Sequence, residues 1–140
     1  LFDLYQGDYE KVRQLFTLEG RPLGVPLKLL GGEGFSFDLE IGIYSGYTIS
    51  YFALQVAVYM GFKKIFFLGL DLKHEGPKTH FFGQDPQTVN HEKTEFPKMI
   101  KMLNYSTEIM ASTDVKVYNC SPISTLECFP KITYQKALSY

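Results

Sequence analysis

Three short stretches of this chain collect the residue types from which a reaction could be built. Ser45-Gly46-Tyr47-Thr48-Ile49-Ser50 stands where an apolar strand pattern changes to a helical one. Glycine lets the backbone turn tightly there, and a helix start offers free N–H groups and a positive dipole end to an anion such as a phosphate. Thr48 or Ser50 would add a hydroxyl donor. The plain alternative is an N-cap, in which Thr48 only satisfies the helix's own N–H groups. A single glycine is not a dinucleotide-binding fingerprint.

The second stretch, Gly69 to Gly83, follows the apolar run Ile65 to Leu68 and holds Asp71, Lys73, His74, Lys78 and His80. Residues at the carboxyl end of a strand in an open α/β sheet reach the ligand crevice, which places Asp71 there. The lysines and histidines supply positive charge for a diphosphate or a carboxylate. A solvated loop turning at Gly76-Pro77 accounts for the same composition. Asp71, His74 and His80 match no regular ligand spacing, so no metal is expected. The third stretch is Asn90-His91-Glu92, just ahead of a second long helix. A neutral imidazole serves as a general base near neutral pH, and an exposed loop histidine looks the same in sequence.

The elements that must carry these residues follow from periodicity. Asp8 to Leu18 has the apolar spacing of a helical face, with Asp8 as its cap. Val25 to Leu30 reads as a short strand between glycine- and proline-rich loops, and Phe37 to Tyr44 alternates as a half-buried strand. Thr48 to Met60 is apolar nearly all round, as for a packed helix, and Gly61 ends it. Lys64 to Leu70 is a buried strand, which makes a βαβ unit with a right-handed crossover and a parallel pairing to the strand ending at Tyr44. In that unit Thr48 and Asp71 share one sheet edge. Thr94 to Met110 presents a helical face, Val115 to Tyr118 a short strand, and Ser121 to Glu127 a turn or short helix.

Composition narrows the function classes. The chain has 140 residues, 45% of them hydrophobic, with 10 Tyr and 12 Phe, enough for one domain with a real core. A formal charge of −1 without a Lys/Arg block disfavours nucleic acid as a partner. Cys120 and Cys128 form neither a CxxC pair nor a disulfide framework, which suits a reducing compartment. The apolar stretch Ile49 to Phe62 falls short of the ~20 residues that span a bilayer, so no transmembrane segment is expected. No signal peptide is visible, and the start at Leu1 is read as that of a piece of a longer protein.

Gly46–Ser50 (GYTIS), Ala53–Phe62 (ALQVAVYMGF), Lys64–Asp71 (KIFFLGLD) and Gly76–Gly83 (GPKTHFFG) together resemble the domain family of motility accessory factor glycosyltransferases and MptE-like pterin diphosphokinases. Tyr118–Leu126 (YNCSPISTL) is similar to the tail of the bacterial single-domain sialyltransferases, which carry a related series of motifs. The match runs from Ser45 to about Pro130. It implies an α/β, Rossmann-like three-layer domain with a mainly parallel sheet. It further implies transfer of a nine-carbon acidic sugar from a CMP donor to an acceptor hydroxyl, with inversion, no metal and no permanently bound cofactor. By position, Gly46, Thr48, Ser50, Asp71, Lys73, Lys78 and Ser121 would contact the nucleotide or donor. His91 falls near the family's histidine base, and His80 matches the histidine of the accessory-factor pattern G-K-T-H. The acceptor would be a glycan or glycosylated protein, in the cytoplasm or at the periphery of the inner membrane, with room for a homo-oligomer.

Two features depart from that pattern. The loop after Asp71 offers Lys73, His74, Lys78 and Thr79 where the sialyltransferases use tyrosines, and no glycine-rich turn of the G-N-G-P-S kind precedes Gly20. The chain is therefore read as lacking the N-terminal nucleotide-binding βα unit, as a single domain or the C-terminal part of one. The alternatives are a pterin diphosphokinase, with Asp71 on Mg²⁺ and the lysines on phosphates, and a non-catalytic binding domain.

Overall fold

The computed structural model describes residues 17–18, 21–22, 28–72 and 86–140, with 17–18, 21–22 and 86–92 described by backbone alone. The strands are β1 (Thr17–Leu18), β2 (Arg21–Pro22), β3 (Leu29–Gly31), β4 (Ile43–Tyr44), β5 (Lys64–Phe67) and β6 (Lys116–Asn119); the helices are α1 (Ile49–Tyr59), α2 (Pro86–Met110) and α3 (Tyr134–Ala137). Strands pair as three two-stranded ladders, β1 antiparallel to β2, β3 parallel to β4 and β5 parallel to β6. This is a mixed α/β structure compatible with part of a Rossmann-like domain, and parallel pairing dominates as expected.

The partners differ from the expected ones. β4 pairs with β3, and among the described residues no ladder joins β4 to β5. Alternate residues of β4 explain this. The N–H groups of Ile43 and Ser45 bond to the carbonyls of Lys28 and Gly31 on the β3 side, both at 2.8 Å. Tyr44, facing the other way, donates its N–H to Gln55 Oε1 at 3.2 Å, and its carbonyl accepts from Gln55 Nε2 at 2.7 Å. The carboxamide thus occupies the edge where a neighbouring strand would bond, and a buried backbone group already paired has no further demand. Gln55 is fully buried in α1 and also accepts the Ser36 N–H at 3.0 Å.

The alternating pattern from Phe37 to Ile43 yields a strand only at its end. Asp38 Oδ1 accepts the Glu40 N–H at 2.9 Å, Ser36 Oγ donates to the Asp38 carbonyl at 2.8 Å, and residues 39–41 turn. Local bonds from Ser and Asp side chains outcompete strand pairing, leaving Phe37 and Ile41 exposed while Leu39 and Ile43 are buried. Thr17 and Leu18, the end of the expected first helix, are strand; its remainder and the first half of Val25 to Leu30 lie outside the described residues, while the second half enters β3 as expected.

One core joins the two parallel pairs. Tyr51 and Leu54 from α1, Met102, Leu103 and Met110 from α2, Val117 from β6, and Leu126 and Phe129 form a buried cluster against which Tyr44, Ile65 and Phe67 pack. Ile65 and Val117 are register partners, so both helices lie on that face of the β5–β6 ladder. On the opposite face Phe66 stacks on Tyr118 at 5.3 Å between ring centroids, and Tyr140 stacks on Tyr118 at 5.7 Å. The second helical layer of a three-layer domain is not among the described residues. No helix of the described residues is long and apolar enough to cross a membrane.

Candidate functional site

Two turns leave the carboxyl ends of β4 and β5, and each carries one of the two non-glycine residues with positive φ among the described residues, Tyr47 (62°) and Leu72 (47°). Bulky residues in the left-handed region persist only where their surroundings impose it, and such strain gathers at ligand sites. After β4, the N–H of Gly46 bonds to the Gly32 carbonyl at 3.0 Å. Gly46 itself has φ +54°, and a Cβ there would stand 2.2 Å from the Tyr51 ring, so the turn requires glycine. Thr48 then caps α1: its Oγ1 accepts the Ser50 N–H at 3.3 Å and its carbonyl accepts from Tyr51 at 3.1 Å. Capping is thus one role Thr48 has. An anion at this helix start would find the Ser50 N–H already engaged.

After β5, the chain is held by the segment that follows β6. The Leu70 carbonyl accepts from Asn119 Nδ2 at 3.2 Å and from Ser124 Oγ at 2.7 Å. Thr125 gives its N–H to the Asp71 carbonyl at 3.0 Å and its hydroxyl to the Leu72 carbonyl at 2.8 Å. These four bonds impose the strained backbone at Leu72 and present Asp71 half-buried, its carboxylate without a hydrogen bond among the described residues. Because β5 and β6 are parallel, their carboxyl ends lie side by side, and Asp71 and Ser121 share one end of one ladder. Thr48, Gly46 and Ser50 follow the other ladder, joined to this one through the common core.

Ser121 differs from its neighbours. Asn119 Oδ1 accepts its N–H at 3.0 Å, but its Oγ, in a residue only 4% exposed, has no hydrogen-bond partner among the described residues. It lines an open groove of about 490 Å³ together with Asn119 to Pro122 and Lys131 to Gln135. Lys131 runs beside β6 as an isolated parallel bridge to Asn119, and its Nζ donates to the Ser124 carbonyl at 2.9 Å and to Glu127 at 2.6 Å. Burial pushes the Cys128 thiol up to about 11, which keeps it protonated and excludes it as a nucleophile at neutral pH.

Lys73, His74, Lys78 and His80 lie outside the described residues. His91 does not stand in a loop ahead of the second long helix: α2 begins at Pro86 and contains it. Proline is preorganised for a first helical turn, and the polar residues that follow show no apolar face to betray a helix. Sequence reading missed Asn119 and Thr125 as the groups that hold the Asp71 turn. Gln55 stands in the segment that reads as apolar nearly all round, and that exception was the available signal, since a polar residue among apolar neighbours must find buried partners.

Among curated proteins, "Probable 3-deoxy-manno-octulosonic acid transferase" of Salmonella typhimurium is 30% identical over 115 residues, which cover 79% of this chain and 41% of that protein. The chain spans about two fifths of the length of that relative. No protein-family model matches the chain, and no solved structure matches it significantly. The relationship this similarity supports is glycosyltransferase-like.

Proposed function

We propose that the chain is part of a glycosyltransferase that moves an acidic 2-keto sugar, of the nine-carbon sialic kind or its eight-carbon octulosonic counterpart, from CMP to an acceptor hydroxyl. The similarity to the Salmonella transferase carries the reaction class. Both sugar types bear a carboxylate on the reacting anomeric carbon, so one site chemistry serves both. In the reaction the acceptor oxygen attacks that carbon, the bond from carbon to the phosphate oxygen breaks, CMP departs with the electron pair, and a histidine, His91 or His80, takes the acceptor's proton.

Gly46, Thr48 and Ser50 would border the nucleotide, and Lys73 and Lys78 the departing phosphate, with Asp71 and Ser121 at the donor. The acceptor would be a glycan or glycosylated protein met in the cytoplasm or at the inner membrane's surface. Calorimetric titration of the full-length protein with CMP, and with ATP in the presence and absence of Mg²⁺, tests this reading. Tighter binding of CMP than of ATP is the expected result. Tighter, Mg²⁺-dependent ATP binding would transfer the assignment to the pterin diphosphokinase, and binding of neither to a non-catalytic domain.

A further inference from the structure

We propose that Thr125 is a positioning residue for Asp71, and that Asp71, so held, accepts hydrogen bonds from hydroxyl groups of the donor, a deepening that rests on the glycosyl-transfer reading. The clasp on Leu70 to Leu72 has two unlike parts. Asn119 and Ser124, which bond the Leu70 carbonyl, are buried and belong to the core. Thr125 is exposed, yet it makes two of the four bonds, from its N–H to the Asp71 carbonyl and from its hydroxyl to the Leu72 carbonyl at 2.8 Å. Leu72 stands at φ +47°, a conformation that a residue with a side chain keeps only where its neighbours impose it. An exposed hydroxyl fastened to that residue fixes the direction of the Asp71 turn more than it fills the core.

The carboxylate that this turn presents selects the ligand's chemistry. It has no hydrogen bond among the described residues, and its oxygens are open to solvent, unlike the sealed Ser121 Oγ. An ionised carboxylate only accepts hydrogen bonds. It repels both the phosphate and the acid group of a CMP-linked 2-keto sugar, so what it takes from such a donor is a hydroxyl, of the ribose or of the sugar itself. Placement agrees, because Asp71 leaves the carboxyl end of β5, where ligands of open α/β sheets bind, and the parallel register sets the end of β6, which leads to Thr125, beside it.

The test is a double-mutant cycle on the full-length protein, with Asp71→Ala, Thr125→Val and both together, read by calorimetric titration with CMP, 2′,3′-dideoxy-CMP and CMP carrying either acidic sugar. Each single change is expected to weaken donor binding about tenfold, the effect of one lost hydrogen bond, and Thr125→Ser, which keeps the hydroxyl, should restore it. If Thr125 acts through Asp71, the double variant binds no worse than Asp71→Ala alone; full additivity would make Thr125 a merely structural residue and overturn its role. The ligands identify the hydroxyl: an Asp71→Ala effect seen with CMP and absent with its dideoxy form assigns the ribose, and one confined to the sugar-bearing donors assigns the sugar. Unchanged affinity of every ligand in Asp71→Ala, an equal loss with CMP and its dideoxy form, or wild-type binding that requires Mg²⁺ would overturn the hydroxyl assignment and leave the transferase reading standing. No binding of CMP or of either donor by the wild type would sink the transferase reading, and this inference with it.

Discussion

Gln55 shows how one side chain decides a local topology. Its carboxamide satisfies the Tyr44 N–H and C=O and the Ser36 N–H from inside the core, so replacing it strands three backbone groups at once, one buried and two partly buried. Gln55→Leu, which keeps the volume, should cost about 3 kcal/mol or more in urea unfolding, at 1–3 kcal/mol for each unsatisfied group with partial relaxation. A loss under about 1 kcal/mol would mean that water reaches this edge. His91 has a kinetic test in the full-length enzyme. If it is the base, His91→Ala lowers kcat by about 10²–10⁴-fold while His80→Ala leaves kcat near wild type, and the reverse pattern across pH 5 to 9 moves proton removal to the loop after Asp71.

The turns and the helices they start are the elements that set the site. Gly46 and Gly61 both have positive φ, at +54° and +87°, yet only Gly46 has a neighbour in the way. Gly61→Ala should cost about 1–2 kcal/mol, the ordinary left-handed penalty. Gly46→Ala adds displacement of the Tyr51 ring, whose hydroxyl donates to the Gly34 carbonyl at 2.7 Å, so its thermal midpoint should fall clearly further. Equal midpoints by circular dichroism would show that the ring yields freely. α2 pins the same region from outside, with Lys101 paired to Glu33 at 2.9 Å and Lys98 over the Tyr47 ring at 5.5 Å. Lys98 also donates to Glu95 at 2.7 Å, and the hydrogen bonds to Glu95 and Glu33 raise the pKa values of Lys98 and Lys101; with both lysines exposed, these pairs orient more than they stabilise.

At the scale of the whole molecule, two groups that burial keeps neutral predict an alkaline limit. Burial raises the Cys128 thiol from 9.0 to about 11, and burial followed by the nearby Tyr105 raises the Tyr51 phenol well above its ordinary 10.0. Above pH 9 the unfolded chain loses these protons before the native one, so stability is complete below that pH and declines as pH rises through 11. Urea midpoints measured across this window should fall, and Cys128→Ala should delay the onset; an unchanged onset would clear Cys128. The sequence by itself determined the class of fold and the order strand, helix, strand between residues 43 and 67, because periodicity and terminating glycines act within a few residues. The Asp71 turn was legible for the same reason, as polar residues following an apolar strand. Which strands pair was not, since Gln55 reaches back across 11 residues to close the edge of β4. Nor was the clasp on Leu70 to Leu72, whose partners lie about fifty positions on, at Asn119, Ser124 and Thr125. Contacts over that separation follow no local period, so only the packed core, by setting the carboxyl ends of β5 and β6 side by side, decided that Asp71 and Ser121 would meet.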